Sequence, residues 1–343
     1  MRDRPQPITR GTDMNVDVQS HVFPREYAEL YVDAPGSVTA ERAGSSRYLL
    51  RYGGTQVFML DLEDYSLERK LEAMDAAGID VSVLSVNIPS PSRLPPEQRL
   101  AGARICNDYL ADLVGSSRGR FAAIASLPLP DVDASLAELD RAVHKLGLRG
   151  VFLCSHLDGM HLDDPSLEPF YAAVANLQVP LVLHPTVPTW GSHVKDHSMI
   201  PMAAFMMDTS FAMLRLILGG VMERHPALQV VHPHVGGVLP YLMGRVQEQT
   251  EVKRRGRDHI TQSPASYYER VWLDLVTPSE QAMRYALEFA GSERLMFGSD
   301  HPWVSIEVIQ DHMRNGLKLP EDQMAAIRGG NAATLFGLGL PQS

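Results

Sequence analysis

The 343-residue sequence has little cysteine, no long uncharged apolar run and no excess of positive charge. Its two cysteines, Cys106 and Cys154, match no paired disulfide or metal spacing, so we expect a reducing compartment. The net charge of −10 argues against a nucleic-acid-binding face. Residues 1–15 lack the apolar core of a signal peptide, and we expect residues 1–14 to be flexible. These absences predict a cytoplasmic protein that binds neither nucleic acid nor membrane.

The most apolar stretch, residues 199–221, contains Asp208 and Arg215. A bilayer span requires about 20 nearly uncharged residues, so a membrane helix is not favoured. We interpret the stretch as a buried helix that also forms a lid or a subunit contact. Residues 199–218 are the expected contact of a homodimer.

Short apolar runs rich in β-branched residues alternate with amphipathic stretches along the chain. This alternation predicts parallel strands joined by helices, and eight strands close a (β/α)₈ barrel. No glycine-rich phosphate loop follows the first run, which argues against an open doubly wound sheet. We therefore predict one α/β domain over residues 1–343, a TIM barrel with a long loop insertion, and a candidate lid, at 22–65. The predicted strands are 16–20, 81–86, 121–126, 150–154, 180–183, 229–232, 271–275 and 294–298.

Histidine and acidic side chains recur where these predicted strands end. Catalytic groups of such barrels come from the C-terminal ends of the strands, so we expect these side chains to converge. Several imidazoles and a carboxylate suit a zinc-like cation that keeps one position open for water. A single histidine at a strand end is more commonly a hydrogen-bonded core residue, so the argument depends on the joint placement. The residues are Gln19, His21, His156, His184, His232, His234, Asp274 and Asp300.

Substrate-binding residues are expected in the loops that follow the strands. Arg47 and Arg51 lie in the 22–65 insertion, where a guanidinium could pair with a substrate carboxylate or simply be solvated. Trp190 and Trp303 are predicted to form pocket walls. For His156 a substrate contact and a structural role are both open. The expected partner is a small molecule.

Several short motifs, in their order and spacing, resemble one known family. The sequence is similar to the amidohydrolase-related branch that contains aminocarboxymuconate-semialdehyde decarboxylase and the resorcylate and carboxyvanillate decarboxylases. The resemblance extends from about residue 15 to residue 338 and implies an amidohydrolase-type barrel. The segments that carry it are 74–80, 103–108, 120–128, 184–185, 234–240, 297–302 and 331–338.

The resemblance implies a role for each candidate residue. His21, His184 and Asp300 correspond to the family's ligands for one divalent metal, with zinc expected first and manganese or magnesium as alternatives. His234 corresponds to a general acid/base beside the metal-bound water, and Asp300 to a second catalytic group. His232 and Asp274 are expected to support these residues from behind.

One residue departs from the family pattern. The first strand of the family ends in His-x-His or Glu-x-His, whereas this sequence has Gln19 before His21. A neutral amide oxygen is a poor zinc ligand. Three outcomes are compatible with it: Gln19 is a weak fourth ligand, the site takes a harder ion, or the site holds no metal and Gln19 binds a substrate oxygen.

Three functions follow from these residues. The resemblance implies a metal-assisted, non-oxidative decarboxylase of a small carboxylated aromatic or enoic substrate. A hydrolase that uses a metal-activated water is the alternative, because both chemistries occur on this barrel. A metal-independent or degenerate barrel in a biosynthetic pathway is the second alternative.

Overall fold

The computed structural model describes residues 14–339 of the chain, so the expected flexible segment lies almost wholly outside the described residues. Eleven strands and fourteen α-helical segments, some of a single turn, follow one another through this part. The strands are β1 (Val16–Val22), β2 (Val38–Arg42), β3 (Arg47–Tyr52), β4 (Gln56–Asp61), β5 (Val81–Val86), β6 (Phe121–Ala123), β7 (Val151–Cys154), β8 (Leu181–His184), β9 (Val230–His232), β10 (Trp272–Asp274) and β11 (Leu295–Met296).

The helices fill the intervals between the strands, and 3₁₀ and π turns extend several of them. They are α1 (Arg25–Glu29), α2 (Leu67–Ala77), α3 (Arg99–Ser116), α4 (Val132–His144), α5 (Glu168–Leu177), α6 (Phe205–Leu218), α7 (Val221–Arg224), α8 (Pro233–Gly236), α9 (Leu239–Gln247), α10 (Pro264–Tyr268), α11 (Glu280–Ala290), α12 (Ile306–Gly316), α13 (Glu321–Ala325) and α14 (Asn331–Phe336).

Eight parallel strands form a closed ring. Ladder pairing gives the orders β1-β5-β6 and β7-β8-β9-β10-β11. These two groups of strands meet at two seams. At the first seam, between β6 and β7, the backbone N–H of Phe152 donates to the carbonyl of Ala125 at 2.9 Å. At the second seam, between β11 and β1, the N–H of Val18 donates to the carbonyl of Phe297 at 3.0 Å. The predicted (β/α)₈ barrel is therefore confirmed, and each barrel strand overlaps its predicted range.

Alternate strand residues fill the barrel interior, because successive strand side chains point to opposite faces. Val16 and Val18 of β1 pack there with side chains from the other strands, while the intervening residues face helices or the mouth. Phe336 of α14 belongs to this inner cluster and packs at the end where the strands begin. The opposite end of the ring, where the strands finish, therefore remains for function. The other interior residues include Val83, Ile124, Phe152, Val182, Val231, Trp272 and Met296.

Some of the helices begin and end at residues with capping chemistry. Ser66 caps α2 by accepting a hydrogen bond from the N–H of Arg69, and Gly78 ends the helix with φ 65°. Before α11 the cap is Ser279, which accepts from the N–H of Ala282. Local capping chemistry therefore sets several of the helix boundaries.

The insertion at 22–65 is not an irregular loop. It contains α1 and an antiparallel sheet in the order β2-β3-β4. In β3, Tyr48, Leu50 and Tyr52 face the protein, while Arg47 and Arg51 point away. Alternating polar and apolar residues are typical of a half-buried strand, and this pattern was available in the sequence. The lid function of the insertion remains a prediction.

The apolar stretch forms a π turn, Ile200–Ala204, followed by α6. By length and composition Asp196–Leu218 is apolar enough to cross a membrane, but half of its most apolar window is buried inside the protein. Met213, Leu216 and Ile217 are fully buried. The prediction of a core helix is therefore confirmed for this face, and the subunit contact stays a prediction.

Candidate active site

Three side chains from distant parts of the chain form a cluster at the mouth of the barrel. His21 lies near the end of β1, His184 ends β8, and Asp300 follows β11. One ligand atom from each lies within 4.8 Å of the others. His21 Nε2 is 2.9 Å from Asp300 Oδ1. The convergence predicted from the strand ends is therefore present in the structure.

The imidazoles are oriented as metal ligands require. His184 Nδ1 is 2.8 Å from the carbonyl oxygen of Pro185, which can only accept, so Nδ1 carries the hydrogen. This leaves the Nε2 lone pair of His184 free. His21 Nδ1 lies 2.9 Å from Ser85 Oγ, which leaves its Nε2 facing the cluster. Burial, assisted by His21, lowers the pKa of His184 to about 3, so the ring is neutral.

Gln19 lies in the same cluster, and its amide is only half satisfied. Its side chain is buried on β1, and Nε2 donates to Asp300 Oδ1 at 3.3 Å. Gln19 Oε1 has no hydrogen-bond partner among residues 14–339, and a buried oxygen in this state is costly. Two imidazole nitrogens, a carboxylate and an unpartnered amide oxygen together fit a divalent cation.

Asp300 is held in a strained turn. Its φ is 65°, a conformation that costs free energy for any residue except glycine. Asp17 restrains this turn from below, because its carboxylate accepts hydrogen bonds from Ser299 N (2.9 Å) and Oγ (2.6 Å). Burial opposes ionisation of Asp300, yet the hydrogen bond with His21 and the nearby imidazole of His234 hold its pKa well below the usual range. Asp300 is therefore a fixed anion.

Lys70, which was not among the residues predicted from the sequence, lies behind the cluster. The fully buried Nζ donates to Ser20 Oγ at 2.7 Å and to His301 Nδ1 at 3.0 Å. Burial lowers the pKa of Lys70 to about 8, against the opposing charges of Asp17 and Asp300. The available signal was weak: Lys70 shares a helical face with buried Met74, four residues later. This ammonium connects the two chain segments that carry Gln19, His21 and Asp300.

His234 completes the polar floor. It lies in α8 with φ 56°, and its N–H donates to Asp274 Oδ1 at 2.7 Å. His234 Nε2 is 4.0 Å from Asp300 Oδ2. Burial lowers the pKa of His234, but Asp300 and the charge of Asp274 outweigh it, and the net shift is upward. His234 can therefore carry a proton beside the anionic Asp300.

His232 and Asp274 lie behind His234, as predicted. His232 Nδ1 is 2.9 Å from Tyr268 Oη, and burial lowers the pKa of this histidine to about 3. Burial raises the pKa of Asp274 to about 6. Across the described part of the chain, His232 Nε2, His234 Nδ1 and Asp274 Oδ2 have no hydrogen-bond partners. The neutral ring of His232 contacts Tyr268, and Asp274 accepts a hydrogen bond from the backbone of His234. The supporting role of both residues stays a prediction.

A cavity of about 370 Å³ opens above this floor. His184, His234 and Asp300 line its base, and Trp303 lines its wall, as predicted. Most of the other lining residues are apolar. They are Leu50, Phe58, Met59, Leu60, Tyr65, Asn87, Ile88, Pro185, Pro201, Met202, Phe205, Met206, Val276, Thr277, Pro278 and Val304.

Comparison with known proteins identifies the family. The model of the family described as amidohydrolase matches residues 16–338. The chain belongs to the amidohydrolase family. Gamma-resorcylate decarboxylase from Rhizobium sp. (strain MTP-10005) is 32% identical over 306 residues, which cover 82% of this chain and 88% of that enzyme. The resemblance predicted from the motifs is therefore confirmed, and this chain is an enzyme.

Solved structures agree with this assignment. The structure of 2,6-dihydroxybenzoate decarboxylase complexed with 2,6-dihydroxybenzoate is 27% identical, with a TM-score of 0.80, and covers 95% of this chain and 100% of that chain. A dihydroxybenzoic acid decarboxylase from Polaromonas sp. JS666, solved with bound manganese and the inhibitor 2-nitroresorcinol, is 24% identical, with a TM-score of 0.79. It covers 95% of this chain and 97% of that chain, and it shares the fold.

Two predicted substrate residues of this amidohydrolase do not reach the cavity. Arg47 Nε lies 2.7 Å from Asp61 Oδ2, and Arg51 Nη2 lies 3.2 Å from Glu41 Oε2. Both guanidinium groups are on the exposed face of the small sheet. The predicted contact of Arg47 and Arg51 with substrate is therefore wrong, because the pleat of β3 directs their neighbour Leu50 to the cavity instead.

His156 and Trp190 line a different cavity of about 500 Å³, which the amidohydrolase forms between the loops after β7 and β8 and α6. His156 Nε2 is 3.1 Å from the carbonyl oxygen of Val187, and burial lowers the pKa of this histidine to about 4. The structure therefore separates His156 and Trp190 from the metal-ligand cluster, contrary to their predicted place in the substrate pocket.

Proposed function

We propose that this amidohydrolase is a metal-assisted, non-oxidative decarboxylase of an aromatic acid that carries a hydroxyl group next to the carboxylate. The observation that carries the proposal is the cluster of His21, His184 and Asp300 at the base of a cavity, with His234 beside it. The relatives named above support it, because γ-resorcylate decarboxylase and 2,6-dihydroxybenzoate decarboxylase act on acids of this class.

The residues that hold the ion follow from their donor atoms. His21, His184 and Asp300 would bind a divalent cation, and the unpartnered Gln19 Oε1 would be an additional oxygen donor. When bound, the cation supplies positive charge for the substrate carboxylate and the adjacent oxygen. The described residues that line the cavity include no lysine or arginine, so no side chain there replaces that charge.

His234 is the proposed proton donor. Decarboxylation requires a proton on the ring carbon that bears the carboxylate, after which the C–C bond breaks, its electrons return to the ring and CO₂ leaves. The surroundings of Asp300 hold its pKa far below the ordinary value and favour its ionised form, so we assign the proton to His234 rather than to Asp300. The pKa of His234 is raised, and its ring lines the cavity. His234 therefore protonates carbon, and Asp300 stabilises the charged imidazole.

The identity of the ion also belongs to the proposal. Zinc was expected from the family, but an amide oxygen in place of an imidazole or carboxylate favours a harder ion. We therefore favour manganese, the ion in the Polaromonas decarboxylase structure. The homodimer and the cytoplasmic location stay predictions.

The test compares chelator-treated protein with the same protein supplied with Mn²⁺ or Zn²⁺, using 2,6-dihydroxybenzoate. We expect release of CO₂ and resorcinol only with added metal. His184→Asn should lose metal and activity together. His234→Asn should keep metal but lose on the order of 10²–10⁴-fold in kcat, the usual contribution of a general acid. Turnover unaffected by chelation would contradict the metal role, and hydrolysis of esters or amides without CO₂ release would contradict decarboxylation.

A further inference from the structure

We infer that the substrate carries a sizeable apolar substituent, an alkyl chain or a second ring, in addition to its carboxylated ring. This inference rests on the proposed function and extends it to the part of the substrate that does not react. It is carried by the size of the cavity, the chemistry of its walls and the exposure of its rim.

The cavity is larger than a single substituted benzene ring requires. An apolar cavity of about 150 Å³ holds benzene. The cavity above His184, His234 and Asp300 measures about 370 Å³, more than twice that volume. A ring anchored by its carboxylate at the floor therefore leaves room toward the mouth that a small dihydroxybenzoate does not fill.

The walls determine what can occupy this space. The insertion contributes Phe58, Met59 and Leu60, and α6 contributes Phe205. Phe58 lies between two other rings, with centroids 6.4 Å from Phe205 and 6.1 Å from Trp303. Among the described lining residues, the ionisable groups are His184, His234, Asp300 and the hydroxyl of Tyr65, and none is a permanent cation. A second carboxylate, sulfonate or phosphate on the substrate would therefore lack a partner and lose its hydration.

The rim exposes large apolar side chains to solvent. Met59 is 51% exposed, Met202 is 71% exposed and Trp303 is 52% exposed, and all three line this cavity. An apolar patch around a concave site marks a surface that a ligand covers. The cavity continues from the catalytic floor to these side chains, so the substituent of the bound acid is the occupant that we assign to them.

The experiment uses the Mn²⁺-loaded full chain and three acids that differ only in one substituent. They are 2-hydroxybenzoate, 2-hydroxy-6-pentylbenzoate and the same pentyl compound with a carboxylate at the end of its chain. Each buried methylene contributes about fourfold. We therefore expect kcat/KM for the pentyl acid to exceed that for 2-hydroxybenzoate by at least about 30-fold. The compound with the second carboxylate should lose this advantage.

A matched pair of variants locates the effect. Met59→Ser removes an apolar wall residue, and we expect it to reduce the preference for the pentyl acid by about tenfold, mostly through KM. Val57→Ser changes a similarly exposed residue of the same strand that does not line the cavity, so the preference should persist. Calorimetric titration with phenol and 3-pentylphenol measures the same preference without turnover.

The outcomes separate the two proposals. If both 2-hydroxybenzoates are decarboxylated equally well, the inference is overturned and the proposed function stands. If none of the acids releases CO₂ but 3-pentylphenol binds at least 30-fold more tightly than phenol, the apolar subsite stands and the proposed function fails. If Met59→Ser changes the oligomeric state without changing substrate preference, a second copy of the chain covers the rim, and the inference is overturned.

Discussion

At the scale of single residues, Gln19 distinguishes this site from the pattern of its family. The neutral amide leaves Asp300 as the one carboxylate in the cluster of described ligand atoms. Lys70, buried behind the cluster, adds positive charge nearby. Both features weaken the attraction for a dication, so we expect the site to hold its ion less tightly than a site with a second carboxylate would.

Gln19→Glu should raise the affinity for Mn²⁺ by about tenfold or more, since an anionic oxygen replaces a neutral one beside the ion. The measurement is calorimetric titration of metal-free protein. Gln56→Glu adds the same charge on β4, outside the cluster, and should leave the affinity unchanged. Equal affinities for the wild type and Gln19→Glu would show that residue 19 does not contact the ion.

At the scale of elements, the turn after β9 positions His234, the proposed proton donor. His234 and Val235 both have positive φ, and Gly236 follows with φ 78°. A Cβ on Gly236 would lie 2.4 Å from Tyr268 Oη, the hydroxyl that contacts His232. The glycine therefore allows α8 to approach α10 closely enough to place His234 above Asp300.

Gly236→Ala should destabilise the protein by about 2–4 kcal/mol, because it combines an unfavourable φ with a steric overlap. Gly244→Ala is the control: nothing lies within 4 Å of its added Cβ, and alanine is the better helix former within α9. It should be neutral or stabilising by up to about 1 kcal/mol. Urea unfolding of both variants measures the difference, and similar midpoints would contradict the packing argument.

At the scale of the whole molecule, the site is assembled by closure of the barrel. His21 and Asp300 are 279 positions apart, and they meet because the seam between β11 and β1 is hydrogen-bonded. The N–H of Asp300 donates to the carbonyl of Gln19 at 2.8 Å across this seam. An unfolded chain cannot bring these donors together, so the proposed binding of a metal would be linked to folding.

Mn²⁺ should therefore stabilise the native state. At a free concentration 100-fold above its dissociation constant, the expected gain is about 2.7 kcal/mol. Differential scanning calorimetry with and without Mn²⁺ measures the shift of the melting temperature. Asp300→Asn should abolish the shift, whereas Asp311→Asn, on the exposed surface of α12, should retain it. Stabilisation that persists in Asp300→Asn would place the ion elsewhere.

Local patterns along the chain were sufficient to predict much of this architecture. Apolar runs located the eight barrel strands. His184 ends β8, His21 lies one residue before the end of β1, and His234 lies two residues after β9. Strand periodicity and helix capping both depend on residues that are near neighbours in sequence. The joint occurrence of imidazoles and Asp300 at strand ends then indicated a metal site, because parallel strands in a barrel end at one rim.

Other features depended on contacts between distant segments. Lys70 lies behind the cluster of His21, His184 and Asp300 because α2 places it against Ser20 and His301. Arg47 and Arg51 miss the cavity because β3 turns that face to solvent. His156 lies two residues after the end of β7, the strand next to β8, which His184 ends, yet His156 faces another cavity. Sequence specifies which side chains a segment carries, but the packing partner of that segment selects the face that is buried. That selection gave this enzyme an apolar cavity whose described lining residues include no lysine or arginine.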